Sequence, residues 1–278
     1  PDEAARAAGK PWAAVSWLFA VEALSPTRCR FVSRYRCDYS DDLAEAIDAL
    51  AVGPVHIAGW SMGGGVVMQL LLDRPDLVAS LILVNPVSPY GFGATKDVDG
   101  TRVADDDPGA GGGGANPDFV AALLAGDTGS ESPNSPRNVM NGFYFADGFK
   151  AALEDVYVES MLTTIVGDDN YPGDLVASDN WPGFGAGGRG VLNTMAPKHH
   201  DVSGIVDLPA KPPVLWVRGA KDAIVSDESL FDLATLGKLG AIPGWPGEDV
   251  APPQPMVAQT RAVLDRYAAN GGRYTEVV

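Results

Sequence analysis

The sequence predicts an α/β fold, in which a mainly parallel sheet is flanked by helices and an inserted, mostly helical cap interrupts the core. Three observations support this fold class. Residues 55–58 have the pattern of a short buried strand, and residues 80–84 and 214–217 are continuous apolar runs, as in parallel strands that are buried on both faces. Segments with helical spacing of apolar residues alternate with these runs. A long segment rich in glycine and proline separates the second run from the third.

The composition is that of a folded, acidic protein. Of the 278 residues, 46% are hydrophobic, and 36 acidic residues outnumber 20 basic ones. Such a surface repels phosphate, so we expect no nucleic-acid partner. The longest apolar stretch, residues 12–24, carries Glu22 and is shorter than the roughly 20 residues of a spanning helix, so no membrane segment is expected. The start lacks a signal-peptide pattern, which favours a cytoplasmic protein, and Cys29 and Cys37 allow at most one bridge.

The first elements are predicted from apolar periodicity and from stop signals. Residues 12–24 fit a helix, and residues 30–32 fit a short strand. Ser40 or Asp41 is the predicted N-cap of the next helix. The apolar residues of that helix are expected to share one face: Leu43, Ile47 and Leu50. The helix behind residue 61 is expected to end near Asp73, because the next residue precedes a proline and is disfavoured in the α conformation.

The long middle segment is predicted to be a separate layer. A structureless loop of this size is improbable inside a compact domain, so we assign residues 87–211 to a cap or lid. The core is then formed by residues 1–86 and 212–278. The remaining elements follow from the same signals: helices at 117–124, 148–164, 227–236 and 255–269, and a strand at 273–278.

Two features of the cap have a functional and a plain interpretation. The glycine tract at residues 109–114 lacks the Lys-Ser/Thr end and the preceding strand of a phosphate-binding loop, so a flexible linker is favoured. The acidic clusters at residues 105–107 and 168–169 are interpreted as solvated loop charge rather than as a cation site. No metal site is predicted.

The strongest motif lies where the strand at 55–58 gives way to a helix. Gly59-Trp60-Ser61-Met62-Gly63 matches G-x-S-x-G, in which a strained turn exposes the serine hydroxyl above the sheet. We expect the glycines at positions 59 and 63 to be required by crowding, with Gly64 and Gly65 extending the clearance. The helix behind Ser61 points its first amides at the reacting centre, and the Met62 N–H is the expected oxyanion donor.

The plain interpretation of this motif is a glycine-rich helix start packed closely on a strand. The strand before it, the helix after it and the second buried run "SLILVNP" favour the nucleophile instead. With that context, "VHIAGWSMGGGVVMQLLLDRPDLVASLILVNP" resembles the fifth strand, elbow, helix and sixth strand of the α/β-hydrolase superfamily. The resemblance is specific over residues 40–90 and 210–278, and across the insertion it is one of architecture only.

The resemblance implies a catalytic order of serine, acid and histidine. Asp222, in "VLWVRGAKDAIVS", stands where family members carry the acid, although a surface-turn aspartate is the alternative. Asp227 is a weaker candidate and is better explained as a helix cap. The resemblance implies that Asp222 orients the histidine and stabilises the imidazolium.

None of the three histidines follows the last strand, where the resemblance places the catalytic one. His56 is expected to be a buried structural residue. His199 and His200 could be metal ligands or a relocated base, but adjacent side chains on an extended segment point oppositely. The catalytic histidine is therefore expected beyond residue 278. The segment before residue 12 is also too short for the His-Gly loop and strands of relatives, so we expect pieces to be missing at both ends.

The predicted function is hydrolysis of a carboxylic ester or related acyl compound with an apolar part, through an acyl-enzyme on Ser61 and without a cofactor. An acyltransferase, peptidase or haloperoxidase would use the same triad, and a non-catalytic protein that binds a small ligand is the alternative from another class. Aromatic residues near the elbow and in the cap are candidate pocket residues: Trp60, Trp181 and Phe184, with Phe143 and Tyr144. No oligomeric state is predicted.

Overall fold

A computed structural model describes residues 38–278 of the chain. The predicted helix at 12–24, the predicted strand at 30–32 and both cysteines lie outside the described residues. Within the described range, no helix combines the length and the apolar character that crossing a membrane requires.

The core elements follow the predicted alternation of helix and strand. They are α1 (Asp38–Leu50), β1 (Val55–Trp60), α2 (Met62–Asp73) and β2 (Val78–Val84). The insertion contributes β3 (Thr95–Lys96), β4 (Thr101–Arg102), α3 (Pro117–Leu124), α4 (Pro136–Val139), α5 (Glu154–Met161), β5 (Val166–Gly167), β6 (Tyr171–Pro172), β7 (Leu175–Ala177) and β8 (Phe184–Ala186). The core resumes with β9 (Val214–Val217), α6 (Leu233–Lys238), α7 (Met256–Ala269) and β10 (Tyr274–Val277).

The main sheet is entirely parallel across its described strands, in the order β1-β2-β9-β10, which confirms the predicted fold class. The register aligns Trp60 with Val84, and Val84 with Val217. The carboxyl ends of three neighbouring strands therefore stand level at one edge of the sheet. In parallel sheets this edge is where reactive groups collect.

The core lies between the sheet and its helices. Helix α2 packs on β1, β2 and α1, and helix α7 packs on the short 3-10 turn Ser203–Asp207. The largest side chains that are fully buried include Trp216 of β9, Tyr267 of α7 and Met68 of α2. Burial of this apolar area fixes the helices against the strands that carry the motif.

Helix α1 corrects one predicted boundary and one predicted face. The helix spans Asp38–Leu50, so Ser40 and Asp41 lie inside it and neither is its N-cap. The buried Ser40 hydroxyl instead donates to Asp73 Oδ2 at 3.0 Å. Ile47 is buried as expected, whereas Leu50 is 68% exposed, because the last turn of the helix extends past the core.

The helix predicted at 227–236 is also displaced. The structure places it at Leu233–Lys238, where Asp232 caps it by accepting the Ala234 N–H at 3.1 Å. Asp227 is a helix cap as expected, but of α7, because its Oδ1 accepts the N–H groups of Val257 and Ala258 at 2.8 and 3.0 Å. The helix predicted at 148–164 shortens to α5.

The insertion is less helical than predicted, since its helices are short and three two-stranded ladders accompany them. The glycine tract is not a flexible linker, which corrects that interpretation. A Cβ on Gly111 would lie 2.1 Å from Asn193 Oδ1, and one on Gly113 would lie 2.5 Å from the Phe184 ring. The tract is glycine-rich because neighbouring segments pack directly against its backbone.

One acidic cluster is also more structured than predicted. Asp107 is fully buried and pairs with Arg102 Nε at 2.6 Å, while the Lys198 N–H donates to its other oxygen at 2.7 Å. Burial raises the pKa of the Asp107 carboxyl, and the Lys198 N–H and Arg102 oppose that shift. Asp168 and Asp169 pair with Arg189 on the surface. Among residues 38–278, no cluster of three or more metal-ligating side chains occurs.

Candidate functional site

Ser61 forms the corner between β1 and α2. Its backbone lies at φ 53° and ψ −122°, a left-handed conformation that a residue with a Cβ rarely adopts. Three backbone hydrogen bonds hold it there: the Ser61 N–H donates to Val84 O at 3.0 Å, and Ser61 O accepts from Gly64 N–H at 2.9 Å and Val87 N–H at 3.0 Å. The corner is thus tied to the carboxyl end of β2, which over-determines a conformation that costs about 1–3 kcal/mol.

The glycines around the corner do not play equal parts. A Cβ on Gly59 would lie 2.2 Å from Gly63 O, so position 59 requires glycine as predicted. Position 63 does not, because among residues 38–278 nothing lies within 4 Å of a Cβ built there. The other crowded positions are 64 and 65. A Cβ on Gly64 would lie 2.5 Å from Pro86, and a Cβ on Gly65 would lie 2.6 Å from the His200 ring. The motif therefore needs small residues at 59, 64 and 65.

The Ser61 side chain is available for chemistry. The residue is half-buried. Within the described part of the chain, its hydroxyl has no hydrogen-bond partner and is not buried away from solvent. Met62 is the first residue of α2, so its N–H is one of the helix donors without an intrahelical acceptor. An oxyanion that forms beside Ser61 would meet this donor and the positive end of the helix dipole.

Asp222 lies after β9, at the same edge of the sheet. Its Oδ1 accepts the N–H groups of Ile224 and Val225 at 2.8 and 3.0 Å. Its Oδ2 has no hydrogen-bond partner among residues 38–278. Two backbone donors thus fix the carboxylate while one oxygen stays available to a further donor, which is the arrangement that an orienting acid needs.

Asn85 connects the corner to the Asp222 loop, and sequence reasoning missed it. Its N–H donates to Val217 O at 2.8 Å, and its Oδ1 accepts the Gly219 N–H at 2.8 Å. With strands about 4.8 Å apart, the ends of β1 and β9 lie about 10 Å from each other across β2. The available signal was a polar residue directly after a buried strand beside the elbow.

The structure places none of the three histidines in hydrogen-bonding contact with Ser61 or Asp222. His56 is exposed on β1, not buried as predicted, because β1 is the edge of the described sheet; its Nδ1 lies 2.7 Å from Ser80 Oγ. His199 Nε2 lies 3.1 Å from Gly187 O.

His200 is the histidine nearest to the corner helix. Its ring contacts Gly65, one turn along α2 from Ser61, and its Nε2 is buried without a hydrogen-bond partner within the described range. Burial lowers the pKa of His200 to about 4, while Asp201 opposes the shift. The imidazole is therefore neutral at physiological pH.

A π-helical turn of the insertion, Met140–Tyr144, connects the two sides of the site. The Tyr144 ring meets Trp60 edge to face, with centroids 6.2 Å apart and an angle of 85°. The neighbouring Phe143 ring meets Phe231, in the segment that follows the Asp222 loop, at 5.0 Å and 86°. Two consecutive residues of one turn thus contact the two sides of the site. Tyr144 contacts Trp60 beside Ser61, and Phe143 contacts Phe231 beyond the Asp222 loop.

The other two candidate pocket residues lie in a different part of the insertion. Trp181 Nε1 donates to Pro243 O at 3.1 Å, and the Phe184 ring packs on Gly113. Trp181 also lines a small cavity with Asp232 and Leu233. Neither side chain has a ring contact with Trp60, so of the three candidates only Trp60 adjoins Ser61 in the described structure.

The chain is similar in sequence to several known proteins. A sequence model of the α/β hydrolase fold family matches residues 14–246. RutD of Caulobacter vibrioides, provisionally named a carbamate hydrolase, is 41% identical over 46 residues, which are 16% of this chain and 17% of RutD. Lipase LipV of Mycobacterium tuberculosis is 37% identical over 65 residues, which are 23% of this chain and 25% of the lipase.

The chain thus matches a quarter or less of the length of these curated relatives. Among solved structures, a bromoperoxidase from Bacillus anthracis has a TM-score of 0.48 and 14% identity, and the match covers 96% of this chain and 81% of that one.

Proposed function

This chain belongs to the α/β-hydrolase fold family, and on that premise we propose that it is a serine hydrolase that cleaves a carboxylic ester or related acyl compound through an acyl-enzyme on Ser61. The observation that carries the proposal is the corner itself. Ser61 is held at φ 53°, is half-buried, and has a hydroxyl without a hydrogen-bond partner among residues 38–278; it stands where α2 begins and the Met62 N–H lacks an intrahelical acceptor. Strain of this kind persists at sites where it positions a reacting group.

In the proposed reaction the Ser61 oxygen attacks the substrate carbonyl, and its proton passes to a histidine that Asp222 orients. The carbonyl oxygen gains negative charge and is stabilised by the Met62 N–H. Collapse of the tetrahedral intermediate expels the alcohol, which takes the proton back, and water then releases the acid by the same steps in reverse. The proposal does not use His56, His199 or His200 as this base.

The surroundings of Ser61 favour a neutral substrate with an apolar part. Trp60 and Tyr144 form an aromatic wall beside the corner, and such walls bury apolar ligand surface. The chain carries a formal net charge of −16, which disfavours the approach of anionic compounds. The names of the relatives, a lipase and a provisional carbamate hydrolase, also describe hydrolysis at an acyl carbon.

The test of this proposal compares two aspartates that both accept backbone N–H groups. Asp222→Asn keeps the Oδ1 acceptor for Ile224 and Val225 but replaces the second oxygen by an amide that cannot accept from a histidine. We expect the hydrolysis rate of a p-nitrophenyl acyl ester to fall by roughly 100- to 10,000-fold, with stability nearly unchanged. Asp227→Asn, which retains the α7 cap, is the matched control and should keep its rate.

Equal rates in the two variants would contradict the role of Asp222.

A second candidate function is favoured by one observation: no histidine of the described residues bonds to Ser61 or Asp222. In that case the protein binds a small acyl ligand without cleaving it. Saturable ester binding with no Ser61-dependent turnover would identify this alternative.

A further inference from the structure

Two aromatic rings meet beside the loop that carries Asp222. The Phe143 ring packs edge to face on Phe231, with centroids 5.0 Å apart and an interplanar angle of 86°. Phe231 is fixed near the acid through its neighbour, because the Leu230 N–H donates to Ala223 O at 2.8 Å. The residue directly before Phe231 is therefore bonded to the residue directly after Asp222.

The same turn of the insertion also reaches the nucleophile. Tyr144 follows Phe143 in the π-helical turn, and its ring meets Trp60, which precedes Ser61, with centroids 6.2 Å apart. π-Helical turns are rare and are frequently found at functional sites. The two ring pairs therefore flank the edge of the sheet at which the ends of β1 and β9 lie about 10 Å apart.

The proposed reaction assigns the two parts of an ester to these two sides. The base that Asp222 orients returns a proton to the departing alcohol oxygen, so this oxygen must face the base. The alcohol group therefore extends toward the Asp222 side, where Phe143 and Phe231 lie. The acyl group extends in the other direction, toward Trp60 and Tyr144.

Part of the Phe231 side chain is available to a ligand in the described structure. The residue is 37% exposed although its ring packs on Phe143. A ring that a second ring holds in place is a preorganised apolar surface, so a ligand does not have to order it. An aromatic ligand gains edge-to-face or offset-stacked contact there, in addition to the burial of area that an aliphatic group of equal size would gain.

We propose that Phe143 and Phe231 bind the alcohol group of the substrate, and that this group carries an aromatic ring. The inference rests on the proposed function and names its substrate class, namely esters of aryl-substituted alcohols such as benzyl alcohol. The formal net charge of −16 favours an uncharged ring over an anionic one. The two phenylalanines determine specificity and take no part in breaking the ester bond.

The test measures binding in the Ser61→Ala variant, so that the esters remain intact. One ligand pair differs on the alcohol side, namely benzyl butanoate and cyclohexylmethyl butanoate. A second pair carries the same difference on the acyl side, namely butyl phenylacetate and butyl cyclohexylacetate. Dissociation constants are measured by isothermal titration calorimetry. We expect the Ser61→Ala protein to bind benzyl butanoate about three- to tenfold more tightly than its cyclohexyl counterpart.

Two leucine substitutions, each combined with Ser61→Ala, identify the rings that cause this preference. Phe231→Leu and Phe143→Leu should bring the alcohol-side ratio to within about twofold, because leucine keeps an apolar side chain but removes the ring. The acyl-side ratio should not change. The matched control is Phe149→Leu, because the Phe149 ring packs on Phe145 at 5.1 Å in the same insertion, and both ratios should stay unchanged there.

No preference for benzyl butanoate in Ser61→Ala, or a preference that survives both leucine substitutions, would overturn the assignment. An equal fall in the acyl-side ratio would also overturn it, because the two rings would then not be specific to the alcohol. The proposed function fails by a different result, namely ester hydrolysis that persists in Ser61→Ala. The two failures are therefore distinguishable.

Discussion

Burial lowers the pKa of His200, an effect that no sequence pattern indicates. Its ring fits against Gly65, where a side chain would collide, and its Nε2 has no hydrogen-bond partner within the described residues. A protonated imidazole at this position would be a buried charge without a counter-charge in contact. Burial therefore lowers the pKa to about 4, from 6.5 for the ordinary group, although Asp201 acts in the opposite direction.

This shift predicts a loss of stability in acid. Between pH 6.5 and about 4 the unfolded chain binds a proton at His200 that the folded chain excludes, so the free energy of unfolding falls as pH falls through that window. The loss attributable to His200 is about 3 kcal/mol at full effect. In urea unfolding at pH 7 and pH 4.5, His200→Gln should show a smaller decrease than the native sequence. Parallel decreases in the two proteins would refute the assignment.

At the same scale, the sequence predicts Ser61 and Asp222 as candidate site residues because each follows a short apolar strand in a recognisable local pattern. It indicates neither the part that Asn85 plays nor the burial of His200. Asn85 acts through a hydrogen bond to a residue far along the chain, and the His200 ring packs against Gly65 of another segment. Such contacts depend on how segments meet in three dimensions, and local periodicity carries no information about them.

At the scale of elements, the corner between β1 and α2 determines where the hydroxyl points. A Cβ on Gly59 would collide with the backbone of Gly63, while a Cβ on Gly63 would have no neighbour within 4 Å among the described residues. The motif pattern treats these two glycines alike, but the structure gives them different roles, since the turn folds position 59 under the first helical residues.

This difference yields a matched pair of substitutions. Gly59→Ala places a Cβ 2.2 Å from the Gly63 carbonyl oxygen, which is backbone and cannot rotate away, so we expect a loss of about 3 kcal/mol in unfolding free energy. Gly63→Ala meets nothing within 4 Å and should be neutral or stabilising by up to about 1 kcal/mol, because alanine favours a helix over glycine. Urea titration of both variants measures this, and equal losses would contradict the description of the corner.

The strands and the longest helices were predictable, whereas boundaries that depend on tertiary contacts were not. Helix α2 ends at Asp73 as the following Arg-Pro pair requires. Ser40 looked like a cap but bonds to Asp73, and Asp227 caps a helix some thirty residues away. Side chains that satisfy a distant amide have the same local signature as those that cap their own helix.

At the scale of the whole molecule, buried glutamines join the insertion to the core. Gln259 of α7 accepts from Ser88 at 2.7 Å and from Gln254 at 2.8 Å, and donates to Thr95 at 3.1 Å. Gln254 in turn accepts the Gly93 N–H at 2.6 Å. The start of the insertion is therefore fixed to α7, and the polar groups involved are satisfied away from water.

The sequence predicts a core with a mostly helical insertion, and the segment between β2 and β9 differs in character from that prediction. The glycine tract resembles a linker because glycine is common in linkers. Here, however, the backbone or a ring of a neighbouring residue packs closely against each of these glycines. Its role is visible only when the segments around Asn193 and Phe184 are in place. The parallel order of the described sheet, in contrast, follows directly from the alternation of helices and strands.

The central claim is that the fold exposes one activated serine at its corner. Reaction with a fluorophosphonate probe, followed by peptide mapping, tests it most directly. Ser80 is the natural control, because its hydroxyl lies 2.7 Å from a histidine nitrogen, His56 Nδ1, but away from the corner. We predict a label on Ser61 that is lost in Ser61→Ala and retained in Ser80→Ala. Labelling that survives Ser61→Ala, or that maps to Ser80, would contradict the account.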